Sequence, residues 1–372
     1  MTISTAIIGA GRTGGWHRDG LLGQPDVRLV GVADVRREAA EAMGRETGAA
    51  AFDDYREMLE RTRPDVAYVC TPAAEHLGQV RAAAELGINV FVEKPLATSV
   101  ADAFAIADLV ERHGILCTAG YQWRYNPATD AARQALAGLP IALLTGWWYW
   151  TIPPVPWLRD RRFGGGQIVD MATHLVDLMR DLAGDVLEVY AAYTRNAVPE
   201  AELPNWDANA VTLRFAGGAV GSLQTTYALF PGIPLSHGVD VAARELLVRV
   251  ELGTTTIYRR DAEPEITRAP EGWNIDIAFM DAVRRNDPAA IRSPARDAAK
   301  SLAVTLAANY SAVTGKVVTM PEFEANPPTD VPIMPTGEPV IAGTRHADEA
   351  VIVSRPAHTW SHPSLSHQEL SR

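Results

Sequence analysis

The stretch that decides the fold is Gly9-Ala10-Gly11-Arg12-Thr13-Gly14. An apolar run over residues 5–8 precedes it, and a helix is predicted to begin at about Thr13. A second apolar run, 27–33, ends at Asp34, twenty residues beyond Gly14. A glycine turn between strand and helix, with an acidic residue closing the next strand, is the sequence context of a Rossmann dinucleotide-binding unit.

Each glycine of this turn has a physical task in such a unit. Gly9 allows the tight turn, Gly11 lets the backbone approach a pyrophosphate, and Gly14 lets helix and strand pack closely. The helix N-terminus offers amide donors and a positive dipole to the phosphates, so Arg12 and Thr13 are assigned to the same site. The alternative is a glycine-rich turn that binds no ligand.

Asp34 favours NAD as the cofactor, because its carboxylate would accept hydrogen bonds from the ribose hydroxyls and repel a 2′-phosphate. Arg36 and Arg37 leave NADP open as the alternative, since an arginine at this point can hold that phosphate. They could equally be two solvated residues that open a helix. We assign Arg36 to the cofactor site.

The rest of the chain predicts an α/β protein with two domains and a tail. Up to residue 122, short apolar runs alternate with helical patterns, which indicates a parallel sheet covered on both faces, an N-terminal Rossmann domain. From 123 to 325, strands follow one another, with Gly217-Gly218 as a hairpin turn and one helix expected over 167–182. This pattern predicts a C-terminal α+β domain with a large, mostly antiparallel open sheet. The Pro-rich tail, 326–372, has no period and is expected to be loop or disorder.

Composition narrows the classes of partner and compartment. The net charge of −11 over 372 residues argues against binding to nucleic acid or anionic lipid. Only Cys70 and Cys117 are present, in apolar runs, which predicts reduced thiols in the cytoplasm and no structural metal site. The uncharged stretch 141–158 contains three prolines, so we expect a strand and a loop there and no membrane span.

Two further segments carry chemistry. Glu93-Lys94-Pro95 follows a predicted parallel strand, at the sheet edge where ligands bind, although a surface lysine is the alternative. In the segment 164–177, three glycines precede a helix on which Asp170 and His174 are four residues apart and share a face, with Asp177 on the same side. A carboxylate and an imidazole form a workable proton-transfer pair, or else a structural hydrogen bond.

Together these motifs resemble the Gfo/Idh/MocA oxidoreductase family, from residue 3 to about 320. The matching features are the glycine turn with Asp34, Thr71-Pro72 with His76, Glu93-Lys94-Pro95, Arg124 within YQWRYNP (121–127), the GGG…D…H segment and SAVTGKVV (311–318). The resemblance implies an NAD-dependent dehydrogenase or reductase for a sugar, cyclitol or sugar derivative. It also implies a homodimer or homotetramer formed through the open sheet.

The same resemblance implies roles for individual residues. Lys94 would lie between nicotinamide and substrate and hydrogen-bond the reacting oxygen. His174 would be the general base in oxidation and the acid in reduction, and Asp170 would orient the substrate or the imidazole. Four more residues are assigned to the cofactor site with Lys94: Thr71, Pro72, His76 and Glu93.

Aromatic residues crowd the segment before the glycines. Strand alternation places Trp147 and Tyr149 on one face and Trp148 and Trp150 on the other, which we interpret as sheet and oligomer packing. Two tryptophans and one arginine are candidate substrate-binding residues: Trp123, Arg124 and Trp157.

Two other functions stay open from the sequence. One is a non-catalytic regulator that binds dinucleotide through the same fold, against which the intact Lys94, Asp170 and His174 argue. The other is an enzyme that keeps NAD tightly bound and cycles it through oxidation and reduction.

Overall fold

The computed structural model describes residues 2–159, 165–234 and 236–328, which contain two β-sheets. The first sheet is parallel, with the strand order β3-β2-β1-β4-β5-β6. Its strands are β1 Ile3–Ile8, β2 Val27–Ala33, β3 Ala50–Phe52, β4 Val66–Val69, β5 Asn89–Val92 and β6 Cys117–Ala119. The strand order reverses between β1 and β4, which opens a crevice at their carboxyl ends where such sheets bind ligands.

Helices cover this sheet and link its strands. They are α1 Arg12–Leu22, α2 Arg37–Thr47, α3 Tyr55–Thr62, α4 His76–Glu85 and α5 Val100–His113. α5 begins after Ser99, whose side chain accepts a hydrogen bond from the backbone N–H of Asp102. Gly114 ends α5 with a φ of 63°, in the left-handed region that favours glycine. The predicted Rossmann architecture is confirmed.

The second sheet has the order β14-β13-β12-β11-β7-β10-β9-β8-β15. Every pairing in it is antiparallel except that of β7 with β10, so the prediction of a mostly antiparallel sheet is confirmed. Its strands are β7 Ile141–Thr151, β8 Val186–Thr194, β9 Ala208–Phe215, β10 Val220–Leu229, β11 Ser236–Ala243, β12 Leu246–Glu251, β13 Thr254–Arg259, β14 Glu265–Arg268 and β15 Val318–Thr319. Sequence patterning missed β3, β11, β14 and β15.

Several helices pack against one face of this second sheet, whereas α11 packs against α1. The helices of this part of the chain are α6 Gln122–Tyr125, α7 Pro127–Leu136, α8 Pro156–Arg159, α9 Gln167–Asp170, α10 Thr173–Ala183, α11 Ile275–Arg285, α12 Ala295–Thr314 and α13 Met320–Ala325. The predicted alternation along β7 is confirmed, since Trp148 is buried beneath the sheet while Tyr149 is exposed. Large apolar side chains remain exposed on the open face: Leu143, Tyr149, Tyr190, Val220 and Tyr258.

The prediction of a single helix over 167–182 is wrong, because the structure has two helices there. The chain forms α9 and α10 with a break at Met171 and Ala172, where the Ala172 N–H bonds the carbonyl oxygen of Gln167, five residues back. Such a widened turn reorients the side chains that follow it. Asp177, three residues after His174 on α10, accepts a hydrogen bond from Arg124 in the interior.

Several other findings concern only the described part of the chain. No helix within it is long and apolar enough to cross a membrane, and no cluster of three metal-binding side chains occurs there. Cys70 and Cys117 are both free thiols. The described residues form one compact unit, so the domain limits at 122 and 325 stay a prediction. Residues 329–372, most of the predicted tail, lie outside the described ranges.

Candidate active site

The glycine turn joins β1 to α1 and has the geometry that a dinucleotide requires. Gly9 has a φ of 101°, and a side chain there would meet the carbonyl oxygen of Cys70 at 2.7 Å. A Cβ on Gly14 would lie 2.0 Å from the Gly9 carbonyl oxygen, so only glycine lets α1 pack this closely. Gly11 differs, because a Cβ there would meet nothing within 4 Å. The open side of the turn is therefore at Gly11, where a pyrophosphate would approach.

Asp34 ends β2 beside this turn. Its two carboxylate oxygens accept hydrogen bonds from the backbone N–H of Ala10 and of Arg36, each at 2.9 Å. The Arg36 guanidinium lies 3.5 Å from Asp34 and is 69% exposed, so it can move away from the carboxylate. The structure thus brings Asp34 and Arg36 together at the turn. Arg12 lies at the start of α1, 5.0 Å above the ring of exposed Trp16.

Thr71, Pro72 and His76 follow β4 at the same edge of the sheet. The His76 imidazole is buried between the carbonyl oxygens of Thr71 and Leu96, at 2.9 and 3.1 Å. Burial lowers the pKa of His76. The ring lies between the segment after β4 and the segment after β5 and contacts both of them.

Lys94 and Asp170 meet directly. The Lys94 Nζ donates to the backbone carbonyl oxygen of Asp170 at 2.8 Å and to its Oδ1 at 3.1 Å. The other carboxylate oxygen, Oδ2, accepts from the buried hydroxyl of Tyr227 at 3.3 Å. The bond between Lys94 and Pro95 is cis. An ammonium group held by a carboxylate in a partly buried cleft is a cation prepared to meet a developing negative charge.

His174 lies one turn further along, at the start of α10. Burial, followed by the positive charge of Lys94 and then His237, lowers the pKa of His174 well below its usual value. The ring is therefore neutral at ordinary pH. Its Nδ1 has no hydrogen-bond partner among the described residues, so one ring nitrogen is left to a substrate or a water molecule.

Around His174 lies an aromatic cluster, which we define as Trp123, Trp148, His174 and His237. The indole of Trp148 stacks on His174 with ring centroids 6.2 Å apart, and it lies tilted against His237 at 4.6 Å. Trp123 contacts His237 at 5.4 Å. Four polar atoms of the cluster find no partner in the described chain: Trp123 Nε1, Trp148 Nε1, His174 Nδ1 and His237 Nε2. Buried polar atoms need partners, so this concentration favours a polar ligand or ordered water here.

His237 and Trp148 are site residues that sequence reasoning missed. His237 lies opposite Trp148 in the pairing of β11 with β7, and β11 was not predicted because its polar first residues, Ser-His-Gly, are not typical of a strand. Trp148 was assigned to sheet and oligomer packing. The alternation along β7, which places Trp148 on the inner face with Trp150, was the sequence feature that could have indicated a role for Trp148 in the site.

Arg124 is not at the site. Its guanidinium is buried in an ion-pair network, 2.6 Å from Asp177 and donating to the carbonyl oxygens of Asp177 and Arg292. The predicted contact of Arg124 with substrate therefore has no geometric support, because the group is enclosed and its hydrogen bonds are used. The side chain of Trp157 lies outside what the structure describes, so its predicted role stays a prediction.

Glu93 faces inward as well. Its Oε1 lies 3.0 Å from the Nε2 of His17, and its Oε2 accepts from the backbone N–H of Lys94 at 3.0 Å. Charge from His17 and hydrogen bonds to it outweigh burial and lower the pKa of Glu93. The carboxylate thus holds the backbone of Lys94 from below.

A parallel sheet with its glycine turn, and a lysine, a carboxylate and a neutral histidine near its open edge, define a nicotinamide-dependent oxidoreductase. Family models agree: "Oxidoreductase family, NAD-binding Rossmann fold" matches residues 3–121, and "GFO/IDH/MocA C-terminal domain" matches 140–239. The chain belongs to the Gfo/Idh/MocA family. It is an enzyme, an NAD-dependent dehydrogenase or reductase.

Relatives of known activity cover most of the chain. It is 30% identical to scyllo-inositol 2-dehydrogenase (NAD(+)) of Bacillus subtilis (strain 168), over 60% of this chain and 67% of that one. Identity to D-apiose dehydrogenase of Paraburkholderia graminis is 26%, over 87% and 91% of the two chains. The crystal structure of GenD2 from gentamicin A biosynthesis, in complex with NAD, superposes with a TM-score of 0.74 at 25% identity and covers 86% of this chain and 96% of GenD2.

Proposed function

We propose that the enzyme transfers a hydride between NAD and a secondary alcohol or ketone of a sugar, cyclitol or sugar derivative. The observation that carries the proposal is the pairing of the Lys94 ammonium with Asp170, next to the neutral imidazole of His174. These are the two groups that alcohol oxidation needs, a cation and a base.

The chemistry divides between the bound nucleotide and the chain. NAD, when bound, accepts or supplies the hydride. Gly9, Gly11 and Gly14 shape the turn that would receive its pyrophosphate, and Asp34 would accept hydrogen bonds from its ribose. The same site would use Arg12, Thr13, Arg36, Thr71 and Pro72, with His76 and Glu93 supporting the backbone from beneath.

Lys94 and His174 have different tasks in this proposal. In oxidation the substrate hydroxyl loses its proton, and oxyanion character develops on the oxygen. The Lys94 ammonium, 17% exposed, would stabilise that charge because little water competes with it. His174 would accept the proton, since its lowered pKa keeps it neutral and able to act as a base. Asp170 would fix the ammonium in place.

The aromatic cluster supports a polyhydroxylated substrate. Indole and imidazole rings offer flat apolar surface for the C–H face of a sugar or cyclitol, and their N–H groups can meet hydroxyls. The four buried polar atoms of the cluster that lack a protein partner could be satisfied by hydroxyl groups or by ordered water. The relatives point the same way, since their names specify an inositol and a branched sugar, apiose.

A substrate screen tests the proposal. Purified enzyme is offered scyllo-inositol, myo-inositol, D-apiose and a wide panel of aldoses, uronic acids and cyclitols, each with NAD and with NADP, and nicotinamide absorbance is followed. Lys94→Ala, run in parallel, shows whether turnover belongs to this site. We expect turnover with NAD of at least one polyhydroxylated alcohol, and a kcat about 10²–10³-fold lower in the variant.

The other outcomes separate the alternative functions. Saturable NADH fluorescence with no turnover on any substrate would overturn the proposal in favour of a regulator. Nucleotide released only on denaturing freshly purified protein would favour an enzyme that retains and cycles its NAD.

The proposal includes a homodimer or homotetramer formed through the open face of the second sheet. Apolar side chains exposed there would be covered in such an assembly. Light scattering coupled to gel filtration measures the mass directly, and Tyr190→Lys on the exposed face should reduce it. A monomeric wild-type protein would refute this part. The predicted location in the cytoplasm stays a prediction.

A further inference from the structure

A second histidine, His17, lies beneath the segment that carries Glu93 and Lys94. It has no part in the reaction proposed above. His17 is on α1, four residues into the helix after Thr13, and is 6% exposed. Its Nδ1 lies 2.7 Å from Oδ1 of Asp276 on α11, and its Nε2 lies 3.0 Å from Oε1 of Glu93. One buried imidazole therefore contacts two carboxylates, one on each ring nitrogen.

Two carboxylate acceptors require two donors. A neutral imidazole has one N–H, whereas the imidazolium ion has two, so the geometry fits only the charged ring when both carboxylates are ionised. Burial by itself lowers the pKa of His17, but the hydrogen bonds and charges of Asp276 and then Glu93 outweigh it and raise the pKa to about 10. The low pKa of Glu93 agrees with a permanently charged pair.

The surroundings are shaped for this ion. A Cβ on Gly20 would lie 2.3 Å from Oδ2 of Asp276, and a Cβ on Gly120 would lie 2.9 Å from Oε1 of Glu93. Both carboxylates thus occupy space that only glycine leaves free. The rings of Phe91 and Tyr68 contact the imidazole at centroid distances of 4.6 and 5.2 Å and close it off from water.

The chain of contacts continues to the catalytic lysine. Glu93 uses its first oxygen for His17 and its second for the backbone N–H of Lys94, at 3.0 Å each. The other end of Lys94 is held by Asp170. Glu93, which His17 on α1 contacts, thus holds the backbone of Lys94. Asp170 on α9 holds its ammonium group.

We propose that His17 is a positioning residue for Lys94, a buried cation that orders Glu93 and so links the helix of the dinucleotide turn to the catalytic ammonium. The role of Lys94 in this inference rests on the proposed function. The charged and titratable groups that face His17 or its carboxylates come from three elements and the residues that follow them: Tyr68 and Cys70 at β4, Glu93 and Lys94 after β5, and Asp276 on α11.

The first test concerns the charge and needs no substrate. Wild-type protein with nitrogen-15 in its histidine rings is studied by NMR at about pH 8, where an ordinary histidine is neutral. We expect one ring with both nitrogens protonated, absent from the spectrum of His17→Gln. A neutral His17 ring at that pH in the wild-type protein would overturn the proposal, even if the variant fails to fold.

The second test concerns the lysine, also without substrate. The chain has three lysines, Lys94, Lys300 and Lys316, so carbon-13 at lysine Cε gives a spectrum that Lys94→Arg assigns. We expect His17→Gln to shift the Lys94 signal alone. His113→Gln, at the exposed end of α5, is the matched control and should shift none. A folded His17→Gln protein with an unmoved Lys94 signal would refute the positioning role.

A double-mutant comparison separates positioning from general destabilisation. If His17 acts through Glu93, the double variant His17→Gln/Glu93→Gln should move the Lys94 signal no further than Glu93→Gln alone. With a substrate in hand, kcat of His17→Gln should fall about 10²-fold while KM and the NADH Kd change little. Effects of the two substitutions on the Lys94 signal that simply add would contradict the proposal. If the screen finds no substrate, that result counts against the proposed function, and the two NMR tests still decide the role of His17.

Discussion

The Nζ of Lys94 binds both the backbone carbonyl oxygen and the side-chain Oδ1 of Asp170, at 2.8 and 3.1 Å. Two contacts to one residue fix the ammonium in direction as well as in position. The carboxylate balances the charge of Lys94 in the ground state, and Tyr227 holds the carboxylate in turn. An oxyanion that forms nearby would find a donor that needs little reorganisation.

Lys94→Ala should therefore reduce kcat by about 10²–10³-fold, the usual cost of losing one oxyanion donor. Binding of NADH should change much less, because the glycine turn and Asp34 remain. Steady-state kinetics and NADH fluorescence measure the two quantities, with the exposed Lys316→Ala as control. A parallel loss of kcat and NADH affinity would instead point to a structural role for Lys94.

The pH dependence of oxidation should report His174. A base works only when unprotonated, and burial lowers the pKa of His174 well below its usual value, so the ring stays active as pH falls past the range where free histidine becomes charged. We expect kcat/KM for oxidation to show no acid limb near about pH 6.5. A limb centred there would contradict a buried, neutral base.

A variant of His237 serves as a control for the pH dependence of kcat/KM. Burial lowers the pKa of His237 to about 4, so this ring too is neutral in the assay range. His237→Asn should introduce no acid limb near about pH 6.5, because burial, the largest cause of the lowered pKa of His174, remains. The same variant should raise KM if the cluster holds substrate hydroxyls. A limb that appears there with unchanged KM would show that His237 acts on His174 and not on the substrate.

Local chemistry was predictable from the sequence, and long-range pairing was not. The glycine turn and the lysine after β5 depend on neighbours within a few residues, and both were predicted. His17 and Asp276 are 259 positions apart, and only the packing of α11 against α1 brings them together. His237 reaches the site through the register of β11 on β7, which no local pattern encodes.

The motif around Arg124 shows a second limit of prediction from sequence. The residues 121–127 matched a family pattern, and the pattern carried a substrate role with it. A sequence match cannot tell whether an arginine faces the pocket or a buried acid from another part of the chain. Here the interior supplies Asp177, Asp181 and Asp297, and the guanidinium pairs with them.

The cofactor preference is testable at Asp34. Asp34→Ser should weaken NADH binding about 10–100-fold, the value of one or two hydrogen bonds to a charged group, while NADPH binding holds or improves because Arg36 loses its partner. Fluorescence titration with both nucleotides measures this, with Asp19→Ser, exposed on α1, as control. Equal weakening for both nucleotides would indicate that the turn itself is damaged, since Asp34 also binds the Ala10 N–H.

Arg124 should prove to stabilise the fold and not to bind substrate. Asp177 is 0% exposed, and burial raises its pKa even with Arg124 beside it, so removing the arginine leaves a buried acid without its main partner. Arg124→Met should cost about 3–5 kcal/mol and lower the melting temperature by on the order of 10 °C. Arg296→Met, which breaks only exposed ion pairs, should change it little.

Asp177→Asn in the Arg124→Met background should restore part of the loss, because a neutral amide is less costly to bury than an unpaired carboxylate. Differential scanning calorimetry gives the melting temperatures, and KM is measured on whichever variants remain folded. An Arg124→Met enzyme that melts like wild type but shows a greatly raised KM would return this residue to the substrate pocket. A lowered melting temperature with unchanged KM would fix it in the core.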